Sequence, residues 1–88
     1  MRKISIKNNE LVWDDWNIKH IKKHNVTKIE VEQALSQKVQ ARKGYKNRLI
    51  MFGQTKKGRL LAMVIKKINS GYYIFSARDA SKKERRYI

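Results

Sequence analysis

The chain has no cysteine, no proline, only four glycines and only seven acidic residues among 88. Without cysteine there is no disulfide framework, no thiolate metal site and no dithiol redox motif. That is compatible with a reducing cytosol, the expected location. Without proline, repeats or low-complexity tracts, nothing marks a linker, so residues 1–88 read as one small domain. Long hydrophobic runs are missing too. The longest, Leu60 to Ile65, is six residues, against ~20 for a membrane span. The opening MRKISIKNNE alternates instead of forming an apolar leader. A chain of this length buries roughly 60–65% of the surface it exposes when unfolded, so the core is modest.

The scarcity of acid leaves a large excess of cations. Twenty-two Lys and Arg against seven Asp and Glu give a net charge of +15. Such a surface attracts polyanions through its long-range field and through counterion release. RNA, DNA, an acidic protein and an anionic membrane are the candidate partners. The alternative is a solvated, self-repelling surface with no specific ligand.

The hydrophobic pattern sets the order of elements. Ile4, Ile6 and Leu11 to Trp13 suggest a short strand or an interrupted pair. Asp14 or Asp15 can cap a helix beginning near Trp16. Ile18 and Ile21 mark its apolar stripe, Asn17 and His24 lie at one edge of it, and Asn25 is a stop signal. Thr27 to Glu30 is a capping box, with Val26 and Val31 spaced as its hydrophobic staple, for a second helix ending near Gln37. From Val39 the period shortens. Val39–Arg42, Arg48–Gln54, Leu60–Lys67 and Tyr72–Arg78 read as strands, and their short glycine-bearing connections imply antiparallel hairpins. Leu60 to Ile65 is apolar on both faces, as a central strand would be. Ser81 to Glu84 is a second capping box, opening a short C-terminal helix. The expected fold class is α+β: N-terminal helices packed on a four-stranded antiparallel sheet whose other face is partly open.

Several segments together resemble one family. They are VWDDWNIKHIKKHNV at 12–26, VEQAL at 31–35, GQTKKGRLLAMV at 53–64 and IFSARDASKKERRYI at 74–88. The chain resembles the BrnT toxins, small relatives of the RelE and ParE toxins. Asn25 stands where that family has glycine, and Gln54 where an arginine is common. Asparagine tolerates the left-handed conformation, whereas Gln54 removes a cation from the sheet. The resemblance implies a RelE-like fold and an endoribonuclease that slows growth by cutting RNA. It also implies a cognate antitoxin, expected to be a ribbon-helix-helix protein (BrnA- or CopG-like).

RNA can be cut without a metal or any other cofactor when the ribose 2′-OH attacks the neighbouring phosphate. The enzyme must then move two protons and stabilise added negative charge. Arg78, at a strand exit, is the first candidate to fork onto that phosphate. Its alternative is an ion pair with Glu84 or Asp79. Counted in twos, Ser76, Ile74 and Tyr72 share its sheet face. Arg59, where a turn enters the central strand, is a second phosphate ligand or an exposed hairpin residue. Glu84 is a general base by resemblance or simply the capping-box acid. His24 is a proton carrier or a helix-terminal histidine favoured by the dipole. Tyr87 is a stacking or proton-donating phenol, as the resemblance implies. His20 and His24 form an i, i+4 pair, but two histidines without an HExxH order make a poor metal site, so no metal is expected.

Lys56, Lys57, Lys82, Lys83, Arg85 and Arg86 are candidates for holding the RNA backbone, as positioning contacts without sequence choice. Trp13 reads as core and Trp16 as a partly exposed partner-contact residue. Of the polyanions that the charge admits, RNA is the expected partner, the ribosome is a further candidate, and no membrane is expected. Two rival readings stand beside the nuclease: a non-catalytic nucleic-acid or partner-binding module, and a ParE-like gyrase poison.

Overall fold

The change of period at Val39 is the boundary between the helices and the main sheet. The computed structural model describes residues 2–88. Strands β1 (Arg2–Ile4) and β2 (Leu11–Val12) lead into helices α1 (Asp15–Lys22) and α2 (Lys28–Leu35). Strands β3 (Val39–Lys43), β4 (Leu49–Gln54), β5 (Leu60–Ile68) and β6 (Gly71–Asp79) then form a meander.

Both helix starts follow their capping signals. The Asp14 carboxylate accepts from the Asn17 amide at 2.9 Å while Asn17 Oδ1 accepts from the Asp14 amide at 2.9 Å. Thr27 and Glu30 exchange the same pair of bonds, and Val26 and Val31 are both buried. Each cap is worth about 1 kcal/mol. Asn25 adopts φ 57°, the left-handed turn that ends α1 where glycine is the usual residue.

Two expectations need correction. Among the described residues the sheet has six strands, not four, in the order β1-β3-β4-β5-β6-β2, and it is mixed. The interrupted opening pair covers both edges of the meander: β1 runs antiparallel to β3, and β2 runs parallel to β6. A parallel neighbour needs a long connection, and the two helices and the meander together supply it. The C-terminal helix is also absent as such. The Ser81–Glu84 capping box forms, but only a 3-10 turn, Glu84–Tyr87, follows it. A single turn does not recover the cost of helix nucleation, and this one is held instead by Tyr87 stacking on Phe52 at 5.1 Å.

The helices cover one sheet face. Val31, Ala34 and Leu35 of α2 and Ile21 of α1 pack with Met51, Leu61, Met63, Ile65, Ile74 and Ala77. At Gly53 a Cβ would collide with the Ala34 carbonyl, so the approach of α2 to β4 needs glycine. The opposite face is covered at one end by the Glu84–Tyr87 turn, which buries Phe52 beneath Tyr87.

A bulge changes the face count along β6. Val64 pairs with Ser76, yet Ile65 pairs with Ile74. Phe75 is therefore an extra residue, and the alternation slips at it. Arg78 and Ser76 share the open face. Ile74 is fully buried and Tyr72 packs against the core, contrary to the simple count in twos.

Candidate functional site

Two arginine clusters lie side by side where β4 ends, β5 begins and β6 ends. On the open face, Arg78 makes a fork to Glu84, with Nη1–Oε1 at 2.7 Å and Nη2–Oε2 at 2.9 Å. Glu84 Oε1 also accepts from the Ser81 amide at 2.8 Å. The capping box thus fixes the carboxylate that fixes the arginine. The Arg78 side chain remains 45% exposed, so it is held in place without being sealed off.

Arg78 first, and then the Ser81 amide, hold the Glu84 carboxyl down at about 2, against a penalty from burial. Glu84 raises the Arg78 guanidinium in return. A carboxyl lowered on folding contributes stability above its unfolded value, near 4.5, and loses it as pH falls toward 2. Carbon-detected NMR titration of the Glu84 carboxyl is expected to give a midpoint near 2 in the wild type. In Arg78→Ala it should move up toward the ordinary value near 4.5. An unmoved midpoint in that variant would mean that Arg78 does not hold Glu84.

Arg59 is placed differently. Its Nε donates to Asp79 Oδ1 at 2.7 Å and its Nη2 to Asp79 Oδ2 at 3.3 Å. Its Nη1 donates to the Asn25 carbonyl at 2.7 Å and to both Glu30 oxygens at 3.2 Å. Its Nη2 also reaches the His24 carbonyl at 3.1 Å. All five guanidinium donors therefore have partners inside the protein. The side chain is only 24% exposed. Asp79 chiefly, then Glu30, raise the Arg59 guanidinium against a burial penalty. Arg59 chiefly holds Asp79 below the usual carboxylate range, with Arg85 and His24 adding to it. For Glu30, burial opposes ionisation, but the Thr27 amide and Arg59 outweigh it and the net shift is downward. Arg59 thereby ties the end of α1, the start of α2 and the end of β6 together.

The remaining candidates surround these clusters. His24 lies exposed at the end of α1 beside Asp79. Tyr87 lies over Phe52, and Phe52, Ala62 and Arg78 form one cross-strand row on the open face. Lys56 and Lys57 are exposed in the β4–β5 turn. Lys82, Lys83, Arg85 and Arg86 are exposed around the C-terminal turn. The candidates thus gather at one end of the sheet. Gln54, at the position where the resemblance has a cation, donates to the Gly58 carbonyl at 3.3 Å and helps close the hairpin. Among the described residues, no three His, Cys, Asp or Glu side chains gather to hold a metal.

Further along the open face is a cleft that the sequence did not announce. Trp16, His20, Arg48, Val64, Phe75 and Ser76 line a volume of about 410 Å³. Trp16 and His20 stack at 4.7 Å and 9°, and Phe75 meets Trp16 edge-on at 6.4 Å. The Arg48 guanidinium lies 3.9 Å from the Phe75 ring centroid. In the sequence, Arg48 and Phe75 stand out only as members of strands and His20 as half of a poor metal pair. The bulge that turns Phe75 toward this face left no composition signal.

The pattern described as "Ribonuclease toxin, BrnT, of type II toxin-antitoxin system" matches residues 13–84. No curated protein and no solved structure matches the chain.

Proposed function

The chain belongs to the BrnT family of ribonuclease toxins of type II toxin–antitoxin systems, and on that premise we propose that it cuts RNA without a metal and thereby arrests growth. The cut is made by the RNA's own ribose. The 2′-oxygen attacks phosphorus, the bond from phosphorus to the 5′-oxygen breaks, and a 2′,3′-cyclic phosphate and a 5′-hydroxyl remain. One proton leaves the 2′-hydroxyl and another arrives at the 5′-oxygen.

The observation that carries this reading is the exposed fork of Arg78 on Glu84. A carboxylate held by both guanidinium arms stands in for two oxygens of a phosphate. RNA would displace or join it there, and Arg78 would stabilise the charge that grows on the phosphate. Glu84 held at about 2 is a weak base near neutral pH. We therefore assign Glu84 to holding Arg78, and the two proton transfers to Tyr87, on the same face, and to His24, across the strand end beside Asp79. Arg59, with every donor engaged, is assigned to the frame that carries Arg78 and His24. Lys56, Lys57, Lys82, Lys83, Arg85 and Arg86 would follow the RNA backbone.

Membership of the family implies an antitoxin partner. We propose a ribbon-helix-helix protein covering this basic end, action in the cytoplasm, and the RelE-like architecture suggested by an open sheet face opposite the helices. No helix among the described residues is long and apolar enough to cross a membrane. The test is cleavage of RNA by the purified protein in excess chelator. Fragments ending in 2′,3′-cyclic phosphate are expected. Fragments with free 3′-hydroxyls, or activity lost on chelation, would exclude the 2′-OH route.

A further inference from the structure

The aromatic cleft has no part in the chemistry just described. Its composition is unusual for an exposed place on so cationic a chain. Trp16 is 52% exposed although it is large and apolar, and its stack on His20 fixes the orientation of the indole. Phe75 is turned out of the β6 alternation by the bulge, at the cost of a regular ladder. Bulges of this kind re-aim a side chain. The Arg48 guanidinium sits 3.9 Å over the Phe75 ring, so its charge lies at the cleft wall. The volume, about 410 Å³, falls within the roughly 300–1,000 Å³ of pockets that take small molecules.

Position narrows the occupant. Ser76 lines the cleft, and Arg78 is two residues further on the same strand and the same face. That separation is about 6.5 Å along β6, close to the reach of one nucleotide. Arg42, Ile50, Val64 and Ser76 form a cross-strand row, which puts a further cation on the same sheet face two strands beyond Val64. An exposed indole, stacked on His20 by one face only and standing edge-on to Phe75 beside Arg48, suits a base attached to a phosphate chain, since stacking accepts any base and the cations take its charge.

We infer that the Trp16–Phe75 cleft is a nucleobase-stacking subsite, which holds a base of the RNA beside the phosphate gripped at Arg78. The inference rests on the ribonuclease reading above. In it, Arg78 supplies the grip on the reacting phosphate, and Trp16 and Phe75 position the nucleotide that stands there, whatever its base.

The experiment uses fluorescence anisotropy with two short oligonucleotides of equal length that lack 2′-hydroxyls and so are not cut. One carries bases and the other is abasic. The wild type is expected to bind the base-bearing strand about tenfold to a hundredfold more tightly. Trp16→Ala should remove most of that preference. It should leave abasic binding and the salt dependence of binding unchanged, since no phosphate contact is lost. Phe75→Ala serves as the second variant. Equal wild-type affinity for the two strands would overturn the subsite. So would a Trp16→Ala protein that weakens on both strands alike, or one that keeps both affinities and loses only antitoxin binding. RNA cleavage by the wild type, followed in parallel, separates the two readings. Cleavage without base preference removes the subsite alone, and base preference without cleavage removes the nuclease alone.

Discussion

Replacing Arg78 by alanine is expected to slow RNA cleavage about a hundredfold to a thousandfold, the usual effect of removing one group that stabilises transition-state charge. Stability should fall by only about 1 kcal/mol or less, because the Arg78–Glu84 pair is partly solvated. Arg78→Lys should recover little of the lost rate, since an ammonium cannot fork onto two oxygens. Glu84→Gln separates holding from catalysis. Glutamine can still close the capping box with Ser81 and accept one of the two Arg78 bonds through its single oxygen, but it cannot take a proton as a carboxylate does. If Glu84 only holds Arg78, the glutamine variant keeps its rate within about tenfold. A general base would cost roughly a hundredfold to ten-thousandfold on removal. Single-turnover rates on one RNA, with melting curves for each variant, measure all of this. A folded Arg78→Ala protein with full activity would take Arg78 out of the mechanism.

That such a residue was visible in the sequence has a simple cause. Arg78 ends a hydrophobic strand and precedes a capping box, and both are local signals. Local signals also gave the starts of α1 and α2, the left-handed Asn25 and the four strands of the meander. What failed was non-local. The Leu11–Val12 segment carries no trace of its parallel partner on β6, because that pairing is decided by the whole intervening chain. The bulge at Phe75 inverts the face of every residue before it, so the two-residue count placed Ile74 beside Arg78 when it lies in the core. The aromatic cleft was missed for the same reason. Trp16, Arg48 and Phe75 come from three elements, and no spacing in the chain links them. Arg59 was half legible: a charged residue at a turn suggests solvent or a ligand, and nothing nearby in sequence reveals partners at Glu30 and Asp79.

Removing those partners' shared cation should produce the largest loss of stability at any single position among the candidates. Arg59→Met keeps the length of the stem and deletes all five donors. The Asp79 and Glu30 carboxylates and the carbonyls of His24 and Asn25 then lose their common partner. Hydrogen bonds to charged groups contribute about 1.5–3 kcal/mol each when they are well shielded. Here Asp79 is largely exposed and water would replace part of the loss, so a net cost of about 2–3 kcal/mol is expected. Domains of this size lose about 4–8 °C per kcal/mol, which makes the drop in melting temperature roughly 10–20 °C. The pH dependence has a definite sign. Both carboxyls are held below their ordinary values of 3.8 and 4.5 in the folded chain. Their contribution is therefore complete at neutral pH and is lost as acid protonates them. The gap between wild type and Arg59→Met should be wide at pH 7 and should narrow once the pH falls below about 4. A variant that melts with the wild type at neutral pH, yet no longer cuts RNA, would move Arg59 from the frame to the phosphate.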